Sequence, residues 1–343
     1  MNCTSAFPIA TQAPPLRIVV TANCNFHCIY CSQYGENLFS LGNILSERDL
    51  PKVLKIADHI GIKDYRITGG EPLLFIGFVS KLFDYLADLP NTQSIQLTTN
   101  GSLLTKHVDY LDNLPRLDLL KVSLDTIRPK EFERVTGVDE LTQVMKGILC
   151  AIESGLRVRI NTVVTRITLS GIWEMLSWCC DNNLSVKLLD VNQFADPGSQ
   201  LWKNLYVPLI DIRNALRDES DSVCWTHGLG GYGIPMEEFS WNGIQITVKD
   251  SSIGTTYSTL CKDCPLLWSK GISLYCQEGL YNLTLTTDGN LIMCRHRADL
   301  AVSLTKSIQD SKIIRNQFCS VLDRFSNAYF VEHQLKKPPL ERK

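Results

Sequence analysis

The sequence predicts an α/β fold: an open, partial (β/α)6 TIM-like barrel followed by a smaller C-terminal cysteine-bearing domain. Three observations predict it. Short apolar runs bounded by turns alternate with segments of helical periodicity, the pattern of parallel strands covered by helices. Six such units are readable, fewer than the eight of a closed barrel. Past about residue 205 the alternation gives way to a glycine-rich loop, an alternating strand and a series of spaced cysteines.

Taken in order, residues 1–15 contain Pro8, Pro14 and Pro15 without periodicity and read as an irregular lead-in. Barrel strands are expected at Leu16–Thr21, Tyr65–Thr68, Ser94–Thr98, Leu119–Ser123, Arg157–Val164 and Ser185–Val191, each a largely apolar run. Helices are expected between them at about Glu47–Ile60, Ile76–Leu86, Leu103–Leu111, Leu141–Ser154 and Ser170–Asp181. These elements place the barrel at 16–205 and the second domain at 206–343. In the latter, Gly228, Gly230, Gly231 and Gly233 mark a loop, and Ile244–Val248 alternates as a strand. Asp288-Gly289 reads as a two-residue hairpin turn, and about Ser303–His333 reads as a closing helix. Trp225, His227, Tyr232 and Trp241 line the pocket mouth or fill the core of the small domain.

The 343 residues are 44% hydrophobic and 20% charged, with a formal net charge of −2. That balance gives a globular enzyme no basic field for nucleic acid. No run of about eighteen apolar residues offers a membrane span, and neither end carries a basic segment followed by an apolar one. Thirteen cysteines without a secretion signal point to thiolate ligands in a reducing, cytoplasmic compartment rather than a disulfide framework. Seven of them fall into two spaced groups. Cys3, Cys150, Cys179, Cys180, Cys224 and Cys319 have no ligand spacing, and most read as small buried hydrophobes.

The first group, Cys24-x3-Cys28-x2-Cys31, follows the first strand. Three thiolates can hold three corners of a four-iron cluster and leave the fourth iron open to a ligand from solution. A zinc knuckle completed by His27 is the alternative. The second motif, Thr68-Gly69-Gly70-Glu71-Pro72, ends the second strand at the rim where barrel active sites form. Its glycines admit close backbone approach to a ligand, Glu71 offers an acceptor for an ammonium group, and Pro72 stiffens the exit. Later strands end in Thr98-Thr99-Asn100-Gly101, in Ser123-Leu124-Asp125, at Asn161 and in Leu188–Gln193; each alone also reads as a cap or turn.

With these motifs in order over residues 16 to about 195, the chain resembles the radical S-adenosylmethionine (radical SAM) superfamily. The resemblance implies a [4Fe–4S] cluster on Cys24, Cys28 and Cys31. It implies SAM held by Tyr30, Gly69, Gly70, Glu71, Pro72, Thr99, Ser123, Asn161 and Val191. An electron donor such as flavodoxin or ferredoxin would drive cleavage of SAM to methionine and a 5′-deoxyadenosyl radical, which takes a hydrogen atom from substrate inside the barrel.

The second group, Cys261-x2-Cys264-x11-Cys276-x17-Cys294, suits a fully ligated cluster or a four-cysteine zinc site. Residues 280–294 resemble the C-terminal strand-turn-strand of the GTP 3′,8-cyclase family and the endings of SPASM/twitch auxiliary-cluster domains. That resemblance implies a second, auxiliary [4Fe–4S] cluster. Arg17 and Arg66 match substrate-binding arginines of the cyclases. Elsewhere the chain departs from them: Cys276 is extra, Asp64 replaces a lysine, and a glycine-rich tail is missing. Tyr281, Asn282, Leu283 and Thr284 stand where the cyclases carry a nucleotide-binding Asn-Arg-x-Arg run. Arg295 and Arg297, flanking His296, offer an anion site or a solvated turn that neutralises Asp299.

The expected activity is radical chemistry on a small-molecule substrate, nucleotide- or sugar-derived, in cofactor or natural-product biosynthesis. A peptide-modifying maturase is the alternative, although fifteen residues before the first strand are too few for a peptide-recognition domain.

Overall fold

The structure, a computed structural model, describes residues 12–31, 48–191, 200–228, 232–262, 264, 276, 279–280 and 282–332. Expectations that fall on residues 1–11, Glu47, Gln193, Gly230, Gly231, Tyr281 and His333 lie outside the described residues.

The barrel alternates strand and helix. It runs β1 (Leu16–Val19), α1 (Leu50–His59), β2 (Asp64–Thr68), α2 (Ile76–Ala87), β3 (Ser94–Thr99) and α3 (Leu104–Asp112). It continues with β4 (Leu117–Ser123), α4 (Pro129–Thr136), α5 (Leu141–Glu153), β5 (Val158–Val163), α6 (Ile172–Asp181) and β6 (Ser185–Leu189). The six strands are parallel neighbours in chain order, which the intervening crossover helices permit. Helix α4 is one that the apolar periodicity does not reveal. Its eight residues are begun by Pro129 and stopped by Gly137 at φ 77°, the usual punctuation of a short helix.

β1 and β6 each stop two residues before the expected ends, at Val19 and Leu189. The backbone beyond them bonds elsewhere. Val20 N–H donates to Thr68 O at 2.9 Å, and Thr21 O accepts from Gly70 N–H at 2.7 Å. Asp190 N–H reaches Lys249 O at 3.4 Å.

Strands beyond residue 205 continue the same sheet at both edges. After α7 (Gln200–Leu205) and α8 (Ile210–Glu219) come β7 (Ser222–Thr226), β8 (Met236–Trp241), β9 (Ile244–Lys249) and β10 (Gly254–Tyr257). They are followed by β11 (Leu283–Leu285), β12 (Asn290–Ile292), β13 (Val302–Ser303), α9 (Ser311–Ser326) and β14 (Tyr329–Glu332). The sheet order is β13-β12-β11-β1-β2-β3-β4-β5-β6-β9-β8-β7. β11 lies parallel to β1 and β9 parallel to β6, while β10 and β14 form a separate antiparallel pair. The sheet is open, with β13 and β7 at its edges. Leu283, Leu291 and Phe318 share one hydrophobic core with Leu16, Ile18 and Ile67.

Two expectations change. Residues 287–289 form a three-residue connection between β11 and β12, because Thr286 N–H bonds Asn290 O at 3.0 Å and Gly289 takes φ 75°; this is a type I turn closed by a left-handed glycine rather than a two-residue turn. The closing helix spans only Ser311–Ser326, started by the Asp310 carboxylate, which accepts from Lys312 N–H and Ile313 N–H. Tyr329–Glu332 is strand, bonded to β10.

Helix α8 is fastened over β8 and β9 by buried charge. Arg213, its side chain 7% exposed, bonds Glu237 and, at 3.1 Å, Asp250. Arg217 also bonds Glu237, at 2.9 Å. Removing one partner of such a cluster strands the remaining charges in the interior. We therefore expect Arg213→Met to cost about 3–5 kcal/mol in denaturant unfolding; a loss below about 1 kcal/mol would show that water replaces the guanidinium.

Candidate functional site

The three cysteines lie on the loop that leaves β1. None is in a disulfide, and Cys24 and Cys31 are exposed while Cys28 is half-buried. The loop is held from two sides. From below, Gly70 N–H donates to Thr21 O at 2.7 Å and Glu71 N–H to Asn23 O at 2.8 Å. From the side, His27 N–H donates to Thr136 O at 2.8 Å and Ile29 N–H to Val135 O at 2.9 Å, both at the end of α4. Phe26 meets Phe132 edge-on, ring centres 5.9 Å apart. Donors already point at sulfur: Phe26 N–H lies 3.4 Å from Cys24 Sγ and Asn100 Nδ2 lies 3.8 Å from it. Burial first, then Asp125 and the other two thiols, push the Cys28 thiol up; a bound cation reverses that preference. Among the described residues no three His, Cys, Asp or Glu side chains converge on one ion-sized point. A four-iron cube asks for something else, one thiolate on each of several iron atoms.

The Gly-Gly-Glu-Pro turn packs against the base of the cysteine loop. A Cβ on Gly69 would lie 2.6 Å from Thr21 O, and one on Gly70 2.1 Å from Asn23 O. The glycines thus permit the close approach of two backbones, joining this turn to the base of the cysteine loop. Glu71 is fully buried. Its Oε1 accepts from Leu73 N–H at 2.9 Å and from Thr99 Oγ1 at 2.7 Å, and its Oε2 accepts from Asn100 N–H at 2.6 Å. Three of roughly four acceptor positions on a carboxylate are therefore filled by protein, and Glu71 ties the end of β2 to the end of β3. Pro72 begins a single 3-10 turn, Pro72–Phe75, capped by Glu71.

The remaining rim residues divide. Tyr30 Oη donates to Asp125 Oδ2, and Asp125 Oδ1 accepts from Val163 N–H at 2.8 Å, so the cysteine loop is tied to the ends of β4 and β5. Burial pushes the Asp125 carboxyl up to about 6. Ser123 and Asn161 are register partners on β4 and β5. Asn161 Oδ1 is buried with no partner among the described residues. Val191 borders the cavity, and its carbonyl accepts from Trp202 Nε1 at 2.9 Å.

Inside the barrel lies a cavity of about 500 Å³. Arg17 and Arg66, adjacent on β1 and β2, line it as expected. So do Lys121, Arg159 and Lys187, which the sequence reading did not single out. Their signal was present: each is a cation at an inward position of a largely apolar strand. Lys121 pairs with Arg159 across β4 and β5, a second adjacent pair of cations in the inner wall. Lys249 and Arg295 add to these, against the carboxylates of Asp190 and Glu238. Burial, then Arg66, Arg159, Lys187 and Arg17, hold the Lys121 ammonium well below the ordinary lysine range. Burial and Arg159 do the same to Lys187, and burial with Arg157 lowers Arg159 to about 10. His227 and Tyr232 also border this cavity, whereas Trp241 is core and Trp225 is 43% exposed.

The second cysteine group also comes together. Cys261, Cys264, Cys276 and Cys294 line one small pocket with Tyr257, Met293, His296 and Arg297. Burial pushes the Cys261 thiol up. Arg297 Nε bonds Asp299 Oδ1 at 2.7 Å, and its guanidinium also reaches the Cys264 sulfur. The two arginines therefore part company: Arg297 serves the cysteine pocket and Asp299, while Arg295 faces the barrel cavity. This donor set fits four thiolates on a fully ligated cluster.

Comparison with known proteins agrees with this geometry. The model of the radical SAM superfamily matches residues 18–179. A GTP 3′,8-cyclase of Aliarcobacter butzleri is 30% identical over 313 residues, 87% of this chain and 84% of that enzyme. A GTP 3′,8-cyclase of Petrotoga mobilis is 33% identical over 211 residues, 61% of this chain, and the match spans 64% of its length. Among solved structures, Streptococcus suis SuiB bound to S-adenosylmethionine shares the fold with a TM-score of 0.59 at 16% identity. That superposition covers 86% of this chain and 64% of SuiB. The chain belongs to the radical SAM superfamily, whose enzymes use SAM and a [4Fe–4S] cluster.

The contact at Gly70 makes a sharp prediction. Gly70→Ala should force the turn and the cysteine loop apart, costing about 1–3 kcal/mol as overpacking does and lowering the iron retained after reconstitution. Gly77→Ala, on α2 with nothing within 4 Å of the new Cβ, should stabilise by about 0.5–1 kcal/mol. Equal melting temperatures for the two variants would contradict the packing argument.

Proposed function

We propose that this chain cleaves SAM reductively at a cluster held by Cys24, Cys28 and Cys31, and acts on an anionic small molecule in the barrel cavity. The observation that carries the second half is the set of inward-facing cations, Arg17, Arg66, Lys121, Arg159 and Lys187. The curated relatives named above are GTP 3′,8-cyclases, which supports a phosphorylated substrate. The lost Asn-Arg-x-Arg run and the extra Cys276 argue for a different molecule of that charge class.

When bound, the cluster and SAM together supply, with one electron from a flavodoxin or ferredoxin, a 5′-deoxyadenosyl radical that removes a substrate hydrogen. The residues of the chain do the rest. Tyr30, anchored to Asp125, fixes the cysteine loop over the cavity mouth, and Glu71 fixes the rim beside it. Asn161 Oδ1 offers a buried acceptor to the bound cofactor, with Thr99, Ser123 and Val191 around the same rim. Gly69, Gly70, Glu71 and Pro72 set the height of the loop and border the methionine amine of the bound cofactor. Arg17, Arg66 and Arg295 orient the anionic part of the substrate by charge-assisted bonds. Cys261, Cys264, Cys276 and Cys294 would hold an auxiliary [4Fe–4S] cluster, with Arg297 beside it.

Two experiments test this reading. Anaerobically reconstituted protein should bind about eight irons, and Cys28→Ala should abolish 5′-deoxyadenosine formation while Cys276→Ala spares it. Loss of that product in Cys276→Ala, or its persistence in Cys28→Ala, would reverse the assignment of the two sites. The low-molecular-mass fraction of a cell extract should stimulate SAM cleavage and lose that effect after phosphatase treatment. Stimulation that survives phosphatase, or that resides in the peptide fraction, would favour a peptide-modifying enzyme.

A further inference from the structure

Lys121 stands out among the cations of the cavity. It sits within β4, is 7% exposed, borders the cavity, and has no hydrogen bond or ion pair among the described residues. Its register partners are Thr98 on β3 and Arg159 on β5. The charges acting on it are all positive: Arg17 from β1, Arg66 from β2, Arg159 from β5 and Lys187 from β6. Neither carboxylate of the cavity bonds Lys121, and Asp190 Oδ1 has no hydrogen-bond partner among the described residues. Asp190 Oδ2 accepts from Ser251 N–H at 3.0 Å, and Glu238 accepts from the Thr247 hydroxyl at 3.4 Å and acts on Arg159 and Lys187. The wall also holds Cys31, His227, Tyr232, Lys249, Arg295 and Tyr30, the last committed to Asp125.

A buried amine among like charges is most stable when neutral, because both desolvation and repulsion oppose its protonation. An apolar side chain of the same length would fill this space without either cost. The ammonium form becomes favourable only when negative charge enters the cavity. A singly charged group offsets one of the four neighbouring cations; a multiply charged one reverses the local potential.

We propose that Lys121 is the deepest specificity determinant of the cavity: it engages a multiply charged phosphate or polyphosphate group of the substrate and takes up one proton from solvent as that group arrives. The neutral amine plus one solvent proton becomes the ammonium, which donates to phosphate oxygen; no bond of the ligand breaks. The inference rests on the reading of the cavity as an anionic-substrate site. Since the complex holds the extra proton, affinity falls as pH rises.

The test is isothermal titration calorimetry of the reconstituted full chain with inorganic pyrophosphate. It is run at one mildly alkaline pH in two buffers of different ionisation enthalpy, with formate as the singly charged control. Wild-type protein should bind pyrophosphate with a buffer-dependent heat equal to uptake of about one proton, and formate should show none. Lys121→Met should bind about ten- to a hundred-fold more weakly and lose the buffer dependence. Lys121→Arg, permanently charged, should bind without proton uptake. Wild-type binding without buffer dependence, or unchanged uptake in Lys121→Met, overturns the role of Lys121 while leaving the anionic site standing. If pyrophosphate binds neither wild type nor Lys121→Arg, the anionic-site reading falls with it.

Discussion

Two backbone hydrogen bonds, Gly70 N–H to Thr21 O and Glu71 N–H to Asn23 O, hold together everything that happens at the rim. They form only because residues 69 and 70 lack Cβ atoms, since a side chain at either would occupy the space of the opposing carbonyl. Through them the cysteine loop inherits the rigidity of β2. Through Glu71, with its oxygens bonded to Leu73, Thr99 and Asn100, it inherits that of β3 as well. The buried carboxylate is tolerated because each donor offsets part of its desolvation. A loop that must hold thiols in fixed relation is thus built from strand ends, the least mobile part of the fold.

Below the rim, a second constraint operates. Parallel register places inward residues of neighbouring strands side by side, so cations on β1 and β2, and on β4 and β5, become adjacent pairs in the inner wall. Arg17 beside Arg66 and Lys121 beside Arg159 are repulsive pairs within a low-dielectric wall. Such an arrangement stores unfavourable energy in the empty protein and releases it when a complementary charge enters. Stability is sacrificed locally for recognition, and the apolar core outside the barrel wall carries the difference.

The strand and helix order was legible in the sequence because parallel strands buried on both faces read as apolar runs. What escaped had physical reasons. Helix α4 is too short for periodicity to register, yet it grips the cysteine loop at Thr136 and Val135. Lys121, Arg159 and Lys187 are each a cation in a largely apolar strand, and only the register shows that they share a wall. The spacing of the cysteines and the Gly-Gly-Glu-Pro motif identified the rim correctly. The contacts of Gly69 and Gly70 with Thr21 O and Asn23 O, and those of Glu71 with Leu73, Thr99 and Asn100, were not legible, because a motif names residues but not every partner they meet. Arg295 and Arg297, two residues apart, turned to different sites, which no local reading separates.

The pairing of β1 with β11, Leu16 against Leu283, has a consequence for how the molecule is made. The strand that leads into the first cysteine loop has one neighbour nearby in the chain and another far along it. Closing a loop over that separation is entropically slow, so the barrel edge that leads to Cys24 pairs late in folding. Metal loading of the first loop can therefore precede docking of the second cysteine segment. The C-terminal strands act as the latch that shuts behind it.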